Sequence, residues 1–134
     1  MKKILLFAFI CLLLSSCTTI PETNWDLIYG KWEMYQEQGF NDNLEWYEPE
    51  WEDLEKPKYW DIQKDKFYYD GVEYDYLTPI VYGYITLKSS YNFDLAYDIH
   101  IYYVDETSMA AKVYFCDKTQ KETYGYYCRL RRIE

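Results

Sequence analysis

The sequence predicts an all-β domain of eight short antiparallel strands closed as a small up-and-down barrel, with a β-sandwich as the alternative. Three observations predict it. Short runs of alternating apolar and polar residues recur at close spacing from about Tyr59 to the end of the chain. Asp70-Gly71 separates two of these runs, the strong signal for a two-residue hairpin. Aromatic residues make up 22% of the chain, with 18 Tyr and 5 Trp, and these types favour strands.

The first residues are of another kind. Met1-Lys2-Lys3 is followed by an apolar run from Ile4 to Leu14. That run falls short of the roughly 20 residues a membrane-spanning helix needs and suits the core of a secretory signal helix. Small Ser15 and Ser16 then precede Cys17. Leu14-Ser15-Ser16-Cys17 resembles the lipobox of bacterial lipoproteins. The resemblance implies a signal peptide over residues 1–16, cleavage before Cys17, diacylglycerol on Cys17 Sγ and an acyl chain on its new amine. Residues 17–27 then read as a lipidated tether carrying Pro21, and 28–134 as the barrel domain. The expected place is the cell envelope, held at the membrane by the lipid on Cys17. Thr18 stands where an Asp would mark inner-membrane retention, which favours the outer membrane.

The strands follow in order. The first is expected from Tyr29 to Glu37. Residues 39–58 read as a long acidic interruption in which Pro49 and Pro57 make a continuous strand or helix unfavourable. Next come Tyr59–Gln63, Lys66–Tyr69 and Val72–Leu77, the last two joined by Asp70-Gly71. Ile80–Lys88 is read as one strand bent at Gly83. Tyr97–Val104 alternates, with Ile99, Ile101 and Tyr103 on one face and Asp98, His100 and Tyr102 on the other. Met109–Cys116 places Met109, Ala111, Val113 and Phe115 inward. Tyr124–Ile133 is the last strand, with Cys128, Leu130 and Arg132 sharing a face. Cys116 and Cys128 therefore point to opposite faces, and the expectation is two thiols, although the exported setting favours disulfides.

Gly30-Lys31-Trp32 at the start of the first strand, with meandering strands after it, resembles the lipocalins. With the lipobox and the final Tyr126-Tyr127-Cys128-Arg129-Leu130-Arg131-Arg132, the chain is most similar to the small lipocalin-like lipoproteins of Bacteroidetes. The resemblance implies that Gly30 allows the tight turn into the strand and that Trp32 plugs the closed end. Strand parity makes Arg132 the candidate to lie over that ring. The alternative is that Arg129, Arg131 and Arg132 form a solvated edge. The 39–58 stretch occupies the place of the long first lipocalin loop, a lid over the barrel mouth. Its Trp46, Tyr47 and Trp51 would contact a ligand or partner, or else dock the loop on the barrel.

Composition narrows function. Without Lys2 and Lys3 the chain has 12 basic against 23 acidic side chains, a net charge of −11. Such a surface repels phosphate backbones, so nucleic acid is not an expected partner. His100 is the only histidine, and no triad or zinc set accompanies it. The acids between Asp42 and Glu55 lack an ordered calcium-loop pattern and read as a solvated loop. No enzyme activity, metal or cofactor is therefore expected. Two functions stay open: a barrel holding a small apolar or aromatic ligand, or a filled barrel serving as a structural or protein-interaction module of an outer-membrane complex.

Overall fold

The computed structural model describes residues 22–39, 50–89, 95–119 and 122–134. The expected signal segment and residues 17–21 of the expected tether, Cys17 included, lie outside them. Eight strands follow one 3₁₀ turn (Trp25–Ile28): β1 (Gly30–Gly39), β2 (Glu52–Ile62), β3 (Lys66–Tyr69), β4 (Val72–Tyr76), β5 (Tyr84–Ser89), β6 (Leu95–Val104), β7 (Ser108–Asp117) and β8 (Glu122–Arg132). Each pairs antiparallel with the next and β8 pairs with β1, so the sheet closes in chain order. This is the expected all-β up-and-down barrel, consistent with a lipocalin-like fold. Closure rules out the sandwich, whose sheets would keep their edges.

The pleat explains the core. Alternate residues Trp32 and Met34, Trp60 and Ile62, Ile85 and Leu87, Ile99 and Ile101, Met109, Ala111 and Val113, and Cys128 and Leu130 are buried. Their neighbours face outward, the period-2 pattern of a half-buried strand. Asp70 (φ 48°) and Gly71 (φ 82°) form the tight β3–β4 turn, with both central residues left-handed as a type I′ hairpin requires.

Three expectations need correction. The 39–58 stretch is not a loop throughout, because β2 begins at Glu52 and runs through Pro57. Met34 faces Lys58 but Gln36 faces Asp53, so two steps of β1 oppose five of β2. The surplus residues form a bulge in which Leu54 packs toward the core and Glu55, Lys56 and Pro57 are exposed. Pro57 is tolerated because a bulge asks no ladder hydrogen bond of it. Nor is Ile80–Lys88 one strand. Tyr82 (φ 49°) and Gly83 (φ 77°) make a second tight turn, bridged by Val81 and Tyr84. Finally, Tyr103 faces outward, 50% exposed, while Val104 is buried. A register shift between Ile101 and Tyr103 reverses the alternation there.

The cysteine parity is as expected. Cys128 stands opposite inward Ala111 and is fully buried, whereas Cys116 stands opposite Thr123 on the other face. The two are thiols. Burial pushes the Cys128 thiol well above its ordinary range, so it stays protonated.

Candidate functional site

The register fixes two ends. Gly30, Ile62, Lys66, Tyr76, Tyr84, Val104, Ser108 and Arg132 bound the strands at one end; Gly39, Glu52, Tyr69, Val72, Ser89, Leu95, Asp117 and Glu122 bound them at the other. The first end is closed. Trp32 is fully buried and its indole N–H donates to Ile28 O at 2.8 Å. Arg132 lies over the Trp32 ring, its guanidinium carbon 4.2 Å from the centroid, a contact worth roughly 0.5–2 kcal/mol. The same guanidinium donates to Tyr29 O (3.0 Å), Glu106 O (2.8 Å) and Leu27 O. One side chain thus satisfies carbonyls from the turn before β1 and from the β6–β7 turn. Gly30 is required beside it: φ is 128°, and a Cβ there would come 2.6 Å from Arg132 Nη1. On the adjacent turn, Asp105 accepts from the backbone N–H groups of Ser108 (2.7 Å) and Thr107 (2.8 Å) and from Tyr103 OH. Those bonds, led by the Tyr103 hydroxyl, hold its carboxyl down to about 2.

Toward the other end the interior becomes an aromatic layer. Tyr69 and Tyr97 stack at 4.9 Å, Tyr74 meets Tyr97 edge-on at 5.3 Å, and Phe115 lies 4.8 Å from Tyr97. Tyr69 and Tyr126 hydroxyls bond each other across the barrel. Burial pushes the Tyr126 phenol far above its ordinary range, so that hydroxyl stays protonated. Trp60 packs on Phe67 (5.4 Å) and Tyr69 (5.8 Å). Its indole N–H is buried with no acceptor among the described residues, an unusual cost for a core group. Tyr97 and Phe115 keep partial exposure, whereas the Trp32 ring is fully buried.

The wall around this layer is uneven. β1, β2, β6, β7 and β8 have 10 or 11 residues, while β3, β4 and β5 have 4, 5 and 6. The wall is therefore low on the β3–β5 side, where Tyr69 and Tyr74 face in.

Of the residues expected to form a lid, Trp46 and Tyr47 lie outside the described residues, as does Cys17. Trp51 is partly buried under the Arg129 guanidinium, 3.9 Å from its ring, so it packs on the outer wall of β8. His100 stacks on Tyr84 at 4.1 Å on the outer face, away from the interior. The aromatic layer was missed by sequence reading. Trp60 and Tyr69 each sit in runs where both faces carry aromatics, so alternation alone gives no inward direction. Compared with known proteins, the chain matches no family model and no curated protein.

Proposed function

We propose that this is an exported, lipid-anchored envelope protein, held through Cys17 at the outer membrane, whose barrel binds a small apolar or aromatic molecule. The lipobox at Leu14–Cys17 supports the anchor and the signal peptide over residues 1–16. One observation carries the binding reading: a buried Trp60 N–H without an acceptor among the described residues, beneath an aromatic layer that keeps partial exposure at the low side of the wall. An apolar ring with a carbonyl or carboxylate acceptor would satisfy that donor and stack on Tyr97 and Phe115. The protein is read as a binding module and not an enzyme, since its one imidazole is stacked on the outer face.

Ring contacts of 4.8–5.3 Å around Tyr97 favour a second reading, a filled barrel acting as a structural or interaction module. Native mass spectrometry of the full-length protein, released from membranes in mild detergent, separates the two. A stoichiometric small-molecule mass, lost on unfolding, supports ligand binding. Uniformly empty protein that also fails to bind added N-phenyl-1-naphthylamine would leave the filled-barrel reading standing.

A further inference from the structure

We infer that the closed end of the barrel rests on the lipid surface through the β4–β5 connection, so that the upper end points away from the membrane. The inference relies on the lipid anchor proposed above.

The five most exposed large apolar side chains among the described residues fall together, whereas less exposed ones such as Val72 and Tyr114 lie elsewhere. Leu77, Val81, Tyr82, Tyr84 and Tyr103 are each half exposed or more, and all lie at the closed end along β4, β5 and β6. From Tyr76 to Leu87 the chain has no charged side chain, although 28% of all residues are charged. On a strongly acidic protein this is the stretch that meets no repulsion from anionic headgroups. Tyr and aliphatic side chains at such a tip suit the headgroup–acyl boundary.

Tyr82 adds an independent sign. It is 72% exposed, yet it occupies a left-handed position (φ 49°) in a turn that Asn or Gly would fill without strain. Among the described residues it has no hydrogen-bond, ring or cation–π partner that would reward an aromatic there. A strained, exposed aromatic at a hairpin tip points to a contact outside the barrel.

The place where the described chain begins supplies the occupant. A Cβ on Gly83 would meet the Trp25 ring at 2.5 Å, so the chain before β1 lies directly on this hairpin. Glu22 is five residues from Cys17, a reach of at most ~18 Å at about 3.3–3.6 Å per residue. A lipid on Cys17 therefore tethers the chain from the end at which Trp25 lies, which favours this end as the one near the bilayer.

The test uses the full-length lipidated protein in phosphatidylcholine vesicles. Cys116→Ser removes the accessible thiol, and Cys128 is buried. Val81→Cys and Val72→Cys, on matched half-exposed sites at opposite ends, each carry an NBD label. Flotation with the vesicles first reports the anchor. The expected result is blue-shifted emission at position 81, quenched severalfold more by doxyl-labelled lipid than at 72. Adding Leu77→Asp and Tyr82→Asp should return position 81 to water-like emission. Protein that floats with a water-like label at 81 overturns the docking inference alone. A blue shift without lipid quenching indicates a second protein copy on this face and also overturns it. Failure to float overturns the anchor and the docking together.

Discussion

The two ends of the barrel are built from similar residue types but solve different problems. At the closed end the polar groups of the plug are partnered: Trp32 N–H donates to Ile28 O, and Arg132 gathers three carbonyls from two segments. Above the plug the interior holds paired tyrosine hydroxyls and rings that keep some exposure, and at the boundary Trp60, opposite Trp32 on β2, has an indole N–H without an acceptor among the described residues. The first arrangement is what a structural plug requires, because an unsatisfied buried donor costs about 1–3 kcal/mol. The second tolerates that cost at a place where a bound group could recover it.

Substitutions can break or sharpen this contrast. Trp32→Ala should have the largest effect, roughly 3–5 kcal/mol of stability, as a fully buried aromatic is replaced by a cavity. Chemical denaturation checks it, and a loss below about 1 kcal/mol would mean that the plug is not the keystone of the closed end. Arg132→Met keeps some bulk over the indole but leaves the carbonyls of Leu27, Tyr29 and Glu106 without their donor; a loss of about 2–3 kcal/mol is expected. Lysine at 132 should recover only part, because it lacks the guanidinium fork. At the upper end, Tyr126→Phe removes the hydroxyl–hydroxyl bond to Tyr69 and should cost about 1–2 kcal/mol. If a ligand occupies this layer, the same change should also weaken its retention in native mass spectra. A cost equal to that of Trp32→Ala would erase the distinction between the ends. The smallest effect is expected for Trp51→Ala, under about 1 kcal/mol, since it loses an exposed cation–π contact with Arg129. Unfolding at much lower denaturant would show that Trp51 helps close the wall.

How much of this was legible in the sequence follows the same division. The closed end could be read because its constraints are local and use rare residue types: Gly30 two positions before Trp32, and a parity count along β8 that puts Arg132 on the face of Leu130. The Asp70-Gly71 turn was legible for the same reason. The upper end could not be read, because its contacts join residues far apart in the chain, such as Tyr69 with Tyr126. Their inward direction depends on register, and register is set by pairings between strands. The bulges show the same limit. One extra residue near Tyr102 turns Tyr103 outward, and the surplus in β2 admits Pro57, without any local cue that alternation would detect.

The bulged half of β2 has a consequence of its own. Above Tyr59 the short β3 no longer accompanies β2, so from Glu52 to Lys58 one side of the strand is an unpaired border among the described residues. Borders of that kind recruit strands from other molecules and seed aggregates. Here the border carries Glu52, Asp53, Glu55, Lys56, Pro57 and Lys58, which combine charge of both signs, a kink and a residue with no N–H to offer. The proline that made this stretch look unlike a strand is what lets it be one safely. With that border guarded, β2 can stand taller than β3 without inviting a second copy of the chain to pair along it.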